Sequence, residues 1–257
     1  MLQESIRVMA ERIQSILSEP TIYLYGSVSF GDFRLGWSDI DLLVLAGDPV
    51  SEQQARELVD LRQRLTQEHD GSPYFRLFEG GMLSKRAFFS GENSTAVYWG
   101  TGGQRVTSAY SLDSFAIAAL LDRGVLLCGN DIREQCRYPT HDEFRSDIRR
   151  HCHTMRQYAQ TTGGRVTSCG WLLDIARGLY TLRTGKVIAK TAAGEWALAE
   201  RLAPDAGMLR RAVAIRKDPL AYQNDPETLA WCAALGPYIQ AFADVLEREL
   251  EASYVTY

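Results

Sequence analysis

Apolar residues recur along the first segment at Ile6, Met9, Ile13 and Ile16, the three- and four-residue spacing of an amphipathic helix, and Glu19-Pro20 ends it. The next run, Thr21 to Tyr25, is β-branched and aromatic and is broken by Gly26-Ser27, while Ile40 to Leu45 resumes an apolar strand. The two are expected to pair like a hairpin. Ser51 to Gln54 has the form of a capping box, and Leu58, Leu61 and Leu65 share a helical face that runs out near His69-Asp70-Gly71. Tyr74 to Phe78 and Met82 to Phe89 read as strands separated by a bulge or bend at Gly80-Gly81. Leu112 to Leu121 reads as a helix and Val125 to Cys128 as a short strand.

Beyond residue 138 the strand pattern stops. Segments 141–160, 168–184, 191–202, 206–217 and 226–250 are helical in period, separated by Gly163-Gly164, Thr184-Gly185, Pro204 and Pro219. The expected fold is α+β: a mixed sheet with helices over 1–138, then an all-helical bundle over 139–257.

Composition narrows the function classes. The longest apolar run, Phe115 to Leu121, falls far short of the ~20 residues of a membrane span, and no signal-peptide pattern follows Met1. A cytoplasmic protein without a membrane partner is expected. With 28 basic and 32 acidic residues the net charge is −4, and no basic stripe marks a nucleic-acid partner. The Arg149-Arg150 and Arg210-Arg211 pairs read as solvated helix faces. Five cysteines, none in a C-x-x-C spacing, read as reduced thiols. His151 and His153 flank Cys152, but helix neighbours two apart diverge and suggest no metal site.

The chemistry-bearing stretch is Leu24-Tyr25-Gly26-Ser27, followed twelve positions after Ser27 by Asp39-Ile40-Asp41 at the head of an apolar strand. Strand residues two apart share a face, so Asp39 and Asp41 present two carboxylates together, the hard oxygen ligands that Mg²⁺ prefers. Glycine at the turn lets backbone N–H groups and the Ser27 hydroxyl approach phosphate oxygens.

These residues resemble the signature of the polymerase-β-type nucleotidyltransferases. Leu24 to Ser27, Ser38 to Val44, Thr184-Gly185-Lys186, Ala189-Lys190 and Glu195-Trp196-Ala197 further resemble aminoglycoside adenylyltransferases of the streptomycin/spectinomycin type. The resemblance implies a nucleotidyltransferase domain and a helical bundle holding ATP and the antibiotic in the cleft between them. It implies two Mg²⁺ ions on Asp39, Asp41 and Glu79, with Glu79 as catalytic base, and AMP transfer from ATP with release of pyrophosphate. Gly26, Ser27, Arg177 and Lys190 match nucleotide contacts, and Trp99 an antibiotic contact. The acid that the family uses for streptomycin falls here at about Thr167, which favours spectinomycin, with Asp174 as a nearby substitute. The expected partners are ATP and a small cationic acceptor, drawn by Glu195, Asp174 and Asp113, bound by a monomer. A different hydroxyl acceptor (a lincosamide, a metabolite or a protein) or a non-catalytic nucleotide sensor stays open beside this reading.

Overall fold

The computed structural model describes residues 1–100 and 103–252, and these divide into two units, Met1–Gly31 with Asp39–Arg137, and Asp32–Ser38 with Tyr138 onward. Segment 32–38 thus packs with the helices although it precedes the second strand in the chain, an excursion that no hydrophobic pattern signals.

The first unit opens with α1 (Leu2–Ile16), whose Ile6, Met9, Ala10 and Ile13 are buried as their spacing requires. Strand β1 (Thr21–Tyr25) runs into a single helical turn, α2 (Gly26–Ser29), and β2 (Ile40–Ala46) follows. Helix α3 (Glu52–Glu68) starts at the Ser51/Gln54 capping box and carries the chain across to β3 (Phe78–Ser84). Then come α4 (Lys85–Ser90), β4 (Ala96–Gly100), β5 (Gly103–Thr107), α5 (Ser114–Arg123) and β6 (Val125–Cys128). Among the described residues the strands form one sheet in the order β5-β4-β3-β2-β1-β6. Strands β2 and β3 are parallel, as a helical crossover dictates, and the other neighbours are antiparallel.

Three local expectations are corrected. Tyr74 to Phe78 is no strand: a 3-10 turn occupies Phe75–Leu77, and the strand begins at Phe78. Met82 to Phe89 is strand only through Ser84, whose hydroxyl accepts from the Ala87 N–H and starts α4. Gly80-Gly81 neither bulges nor bends the strand; the β2–β3 register runs unbroken from Ile40↔Phe78 to Ala46↔Ser84. Glycine is needed at 80 because φ is +141° and a Cβ there would stand 1.8 Å from the Leu42 carbonyl oxygen.

One sheet face buries Tyr23, Tyr25, Leu43, Leu45 and Leu83 with Leu120 and Ile132. Alternation sends Ile22, Leu24, Leu42, Val44, Met82 and Trp99 to the opposite face, and all six are buried.

The second unit is helical: α6 (His141–Tyr158), α7 (Gly170–Thr184), α8 (Lys190–Ala199), α9 (Ala206–Lys217), the short α10 (Pro219–Tyr222), α11 (Pro226–Ala233) and α12 (Gly236–Ala252). Segment 226–250 is therefore two helices, bent by 52° at their junction. Pro237, in the first turn of α12, has no N–H to continue the preceding helix, and Gly236 beside it allows close packing, since a Cβ there would meet the Gln160 carbonyl oxygen at 1.9 Å. Pro219 opens α10 rather than merely separating helices. Helix α7 is the most enclosed, with nine buried residues, and Arg156 on α6 pairs with Asp244 and Glu247 on α12. No single helix among the described residues is long and apolar enough to cross a membrane.

Candidate active site

In the sheet unit, strand pairing gathers the acids. Tyr25 on β1 lies opposite Asp41 on β2, which lies opposite Glu79 on β3. Residues directly opposite share a face, so Asp41 and Glu79 stand side by side at the polar end of the face that otherwise buries Leu43 and Leu83. Asp39 immediately precedes β2 and is exposed; Asp41 and Glu79 are half-buried. The Ser27 hydroxyl donates to the Asp39 carbonyl at 3.2 Å, which ties the α2 turn to the head of β2.

Gly26 makes this closeness possible. Its φ is +65°, and a Cβ on it would lie 2.0 Å from Asp41 Oδ2. The glycine is thus required twice, for a left-handed turn and for direct apposition of backbone and carboxylate.

Sequence reasoning missed Arg62. It is buried on α3, and its Nη1 and Nη2 donate to the main-chain oxygens of Phe78 (2.7 Å) and Gly100 (3.2 Å). Burial pulls its pKa down, while the charges of Glu79 and Asp39 favour the protonated form. Its attraction to these carboxylates opposes their mutual repulsion. A polar residue one place after Leu61 carries no signal of its own in a helical pattern.

Two tyrosines border the acids. Burial raises Tyr25 well above its ordinary value, and Tyr110 and Asp41 add to the effect; burial likewise pushes Tyr110 up to about 12. Both phenols stay protonated at neutral pH. The Tyr110 ring occupies the space that a Cβ on Gly81 would take, at 2.1 Å.

Trp99 is corrected. It has no exposed surface, and its indole N–H donates to the Leu58 carbonyl at 3.0 Å, so it packs on α3 from the face opposite the acids. The aromatic that shares the acidic face is Tyr98, which pairs with Gly81 across β3 and lies under the Arg105 guanidinium at 4.7 Å from the ring centroid. A one-residue difference in a strand exchanges core for surface.

Among the described residues no group of three or more His, Cys, Asp or Glu side chains encloses a common point. The donor set nevertheless suits one kind of ion. An oxygen-only row built on two adjacent strands fits a hard divalent cation that keeps several waters and completes its shell with substrate phosphates, as Mg²⁺ does.

In the helical unit, Arg177 and Lys190 meet at one carboxylate. Asp174, one helical turn before Arg177 on α7, lies 3.2 Å from Arg177 and 3.0 Å from Lys190 at the start of α8, and 3.9 Å from His151 on α6. Burial works against the Asp174 charge, but Lys190, Arg177 and His151 outweigh it and hold the carboxyl below its usual range. His151 also stacks on Trp171 with centroids 5.6 Å apart, so it belongs to this cluster rather than to an idle surface. Asp174, the substitute acid for the acceptor in the sequence reading, has its carboxylate paired here with two cations. Glu195 pairs with Lys217 at 2.6 Å, and Asp113 caps α5 through the Ala116 N–H at 2.8 Å. These acids too have structural work to do.

A sheet with register-aligned acids beside a glycine-initiated turn, followed by a helical unit, defines a nucleotidyltransferase. Residues 6–73 match the nucleotidyltransferase domain model, and residues 141–233 match the model of the aminoglycoside adenylyltransferase C-terminal domain. Together they span more than half of the chain, which belongs to the aminoglycoside adenylyltransferases of the nucleotidyltransferase superfamily. Among solved structures, the fold is like that of the spectinomycin adenyltransferase AAD(9) from Enterococcus faecialis, determined with ATP and spectinomycin. Identity is 16%, the TM-score is 0.67, and the match covers 96% of this chain and 100% of that one. Comparison of the sequence with curated proteins returns no match.

Proposed function

We propose that this enzyme transfers AMP from ATP to a hydroxyl of an aminoglycoside or aminocyclitol, with spectinomycin as the favoured acceptor. The observation that carries the reading is the Asp41–Glu79 pair, side by side on parallel strands with Gly26 packed against Asp41. Asp39, Asp41 and Glu79 would hold Mg²⁺, two ions by resemblance, and the bound metal would lower the pKa of the attacking hydroxyl and offset charge on the leaving pyrophosphate.

Glu79 accepts the proton as the acceptor oxygen forms its bond to the α-phosphorus and the bond to pyrophosphate breaks. Gly26 and Ser27 border the nucleotide. Arg177 and Lys190, held by Asp174, supply positive charge to the phosphates, the charge that such a transfer needs as it develops on oxygen. The aminoglycoside class follows from the C-terminal domain model, and spectinomycin is what the AAD(9) structure contains.

The test is pyrophosphate release from the purified protein with Mg²⁺ and ATP, against spectinomycin, streptomycin, other aminoglycosides and lincomycin, with Asp41→Ala as blank. Release with spectinomycin is expected. Release with lincomycin alone would replace the acceptor class, and silence across the panel with ATP still bound would replace the enzyme reading by a sensor. Glu79→Gln should keep ATP binding and lower kcat by about 10²–10⁴; an equal loss of binding would remove Glu79 from the role of base.

A further inference from the structure

Helix α8 begins without a cap of its own: the residue before Lys190 is Ala189, which offers no side-chain acceptor. The acceptor comes from 159 residues earlier. Asp32 Oδ1 receives the Thr191 hydroxyl at 2.7 Å, and Asp32 Oδ2 receives the Thr191 N–H at 3.4 Å, the geometry by which a capping carboxylate serves the first turn of a helix. Arg216 on α9 grips the same residue, Nη2 donating to the Asp32 main-chain oxygen at 2.8 Å and to Oδ2 at 3.2 Å. The guanidinium lies 5.3 Å from the centroid of Trp37, on the same excursion of chain. Asp32, Thr191 and Arg216 are all buried.

This is an expensive way to hold a helix end. Arg216 Nε and Nη1 are buried without a hydrogen-bond partner, and burial pulls the guanidinium's pKa down. A buried ion pair with unsatisfied donors contributes little net stability relative to apolar packing, so stability alone gives no reason for it. What it fixes is the start of α8, whose first residue is Lys190, and the residue next to it is the one Asp32 grips twice.

We propose that Asp32 is a positioning residue for Lys190: by capping α8 from segment 32–38, with Arg216 as counter-charge, it sets where the lysine presents its charge to the nucleotide phosphates. Segment 32–38 leads directly to Asp39, so the carboxylate that caps α8 lies seven residues before the first acid of the sheet end. The inference rests on the reading that Lys190 meets the nucleotide.

The experiment measures ATP affinity in Mg²⁺ by calorimetry on the full chain, the acceptor KM, and hydrogen exchange of the α8 N-terminal amides, for wild type, Asp32→Asn and Thr191→Val. The valine variant removes one hydroxyl without stranding a charge, so it decides the matter if the asparagine variant does not fold. Expected are losses of ATP affinity of about tenfold for Asp32→Asn and about threefold for Thr191→Val, with faster exchange at Thr191 and an unchanged acceptor KM. Faster exchange with unchanged ATP affinity would reduce Asp32 to a structural cap and overturn the proposal. Wild-type protein that binds no ATP would overturn the nucleotide reading itself, a result distinct from the first.

Discussion

The two charged clusters use the same residue type for opposite ends. At the sheet end, Asp41 and Glu79 are held side by side by strand register, with Arg62 as the buried cation whose charge reaches Glu79 and Asp39. In the helical unit a single carboxylate, Asp174, faces Arg177, Lys190 and His151. Negative charge in excess makes a place for a cation, and positive charge in excess makes a place for phosphate. The local ratio of neighbours, rather than the identity of an aspartate, decides what it does.

The largest effect should come from breaking the sheet-end geometry without touching a carboxylate. Gly26→Ala puts a methyl group 2.0 Å from Asp41 Oδ2 at a φ of +65°, so both the turn and the carboxylate must move. Turnover should fall by about 10³-fold or more, as misplacement of a metal-holding group does, with a stability loss of about 1–2 kcal/mol from the left-handed strain. Turnover near wild type would mean that Asp41 does its work elsewhere than against Gly26.

The contrast between the clusters is sharpened by pH. Asp174 has a lowered folded-state pKa, so its contribution to stability is complete above the ordinary carboxylate value and is lost as pH falls through the lowered one. Asp174→Asn should therefore cost about 1–3 kcal/mol at neutral pH, the cations being partly solvated, and the difference from wild type should shrink in acid. Melting curves of both proteins from pH 7 downward check the sign. A gap that widens in acid would mean that Asp174 is protonated in the native state. The same variant should weaken ATP binding several-fold, because Arg177 and Lys190 lose the group that orients them.

Much of the sheet end was legible because strand alternation is a local rule. Asp39-Ile40-Asp41 is recognisable as the head of an apolar strand by counting alone, and β2 carries Asp41, with Asp39 just before its first residue. Glu79 required more: the resemblance named the residue, but its place opposite Asp41 depends on the parallel register of β2 and β3, which only the fold displays. Gly80-Gly81 misled because glycine usually interrupts a strand, whereas here it admits the Leu42 carbonyl. The α4 helix was hidden by Phe88 and Phe89, whose aromatic bulk suggests a strand while the Ser84 cap decides otherwise. The helical cluster was half legible: Arg177 and Lys190 were found by resemblance, but nothing near residue 32 or 216 announces that a distant aspartate caps α8. Long-range pairing of that sort has no period.

The smallest effect on activity separates Trp99 from Tyr98. The sequence pattern names no strand over 96–100 and so gives neither residue a face; the family resemblance alone points the aromatic at 99 toward the acceptor. The structure assigns its indole to the core, where the hydrogen bond to Leu58 and complete burial make it a packing residue. Trp99→Phe deletes that hydrogen bond and part of the buried ring, at about 1–3 kcal/mol of stability, and should leave the acceptor KM within about twofold of wild type. A change of the opposite kind, an acceptor KM raised tenfold with an unaltered melting temperature, would return the contact to Trp99 and require β4 to present its other face.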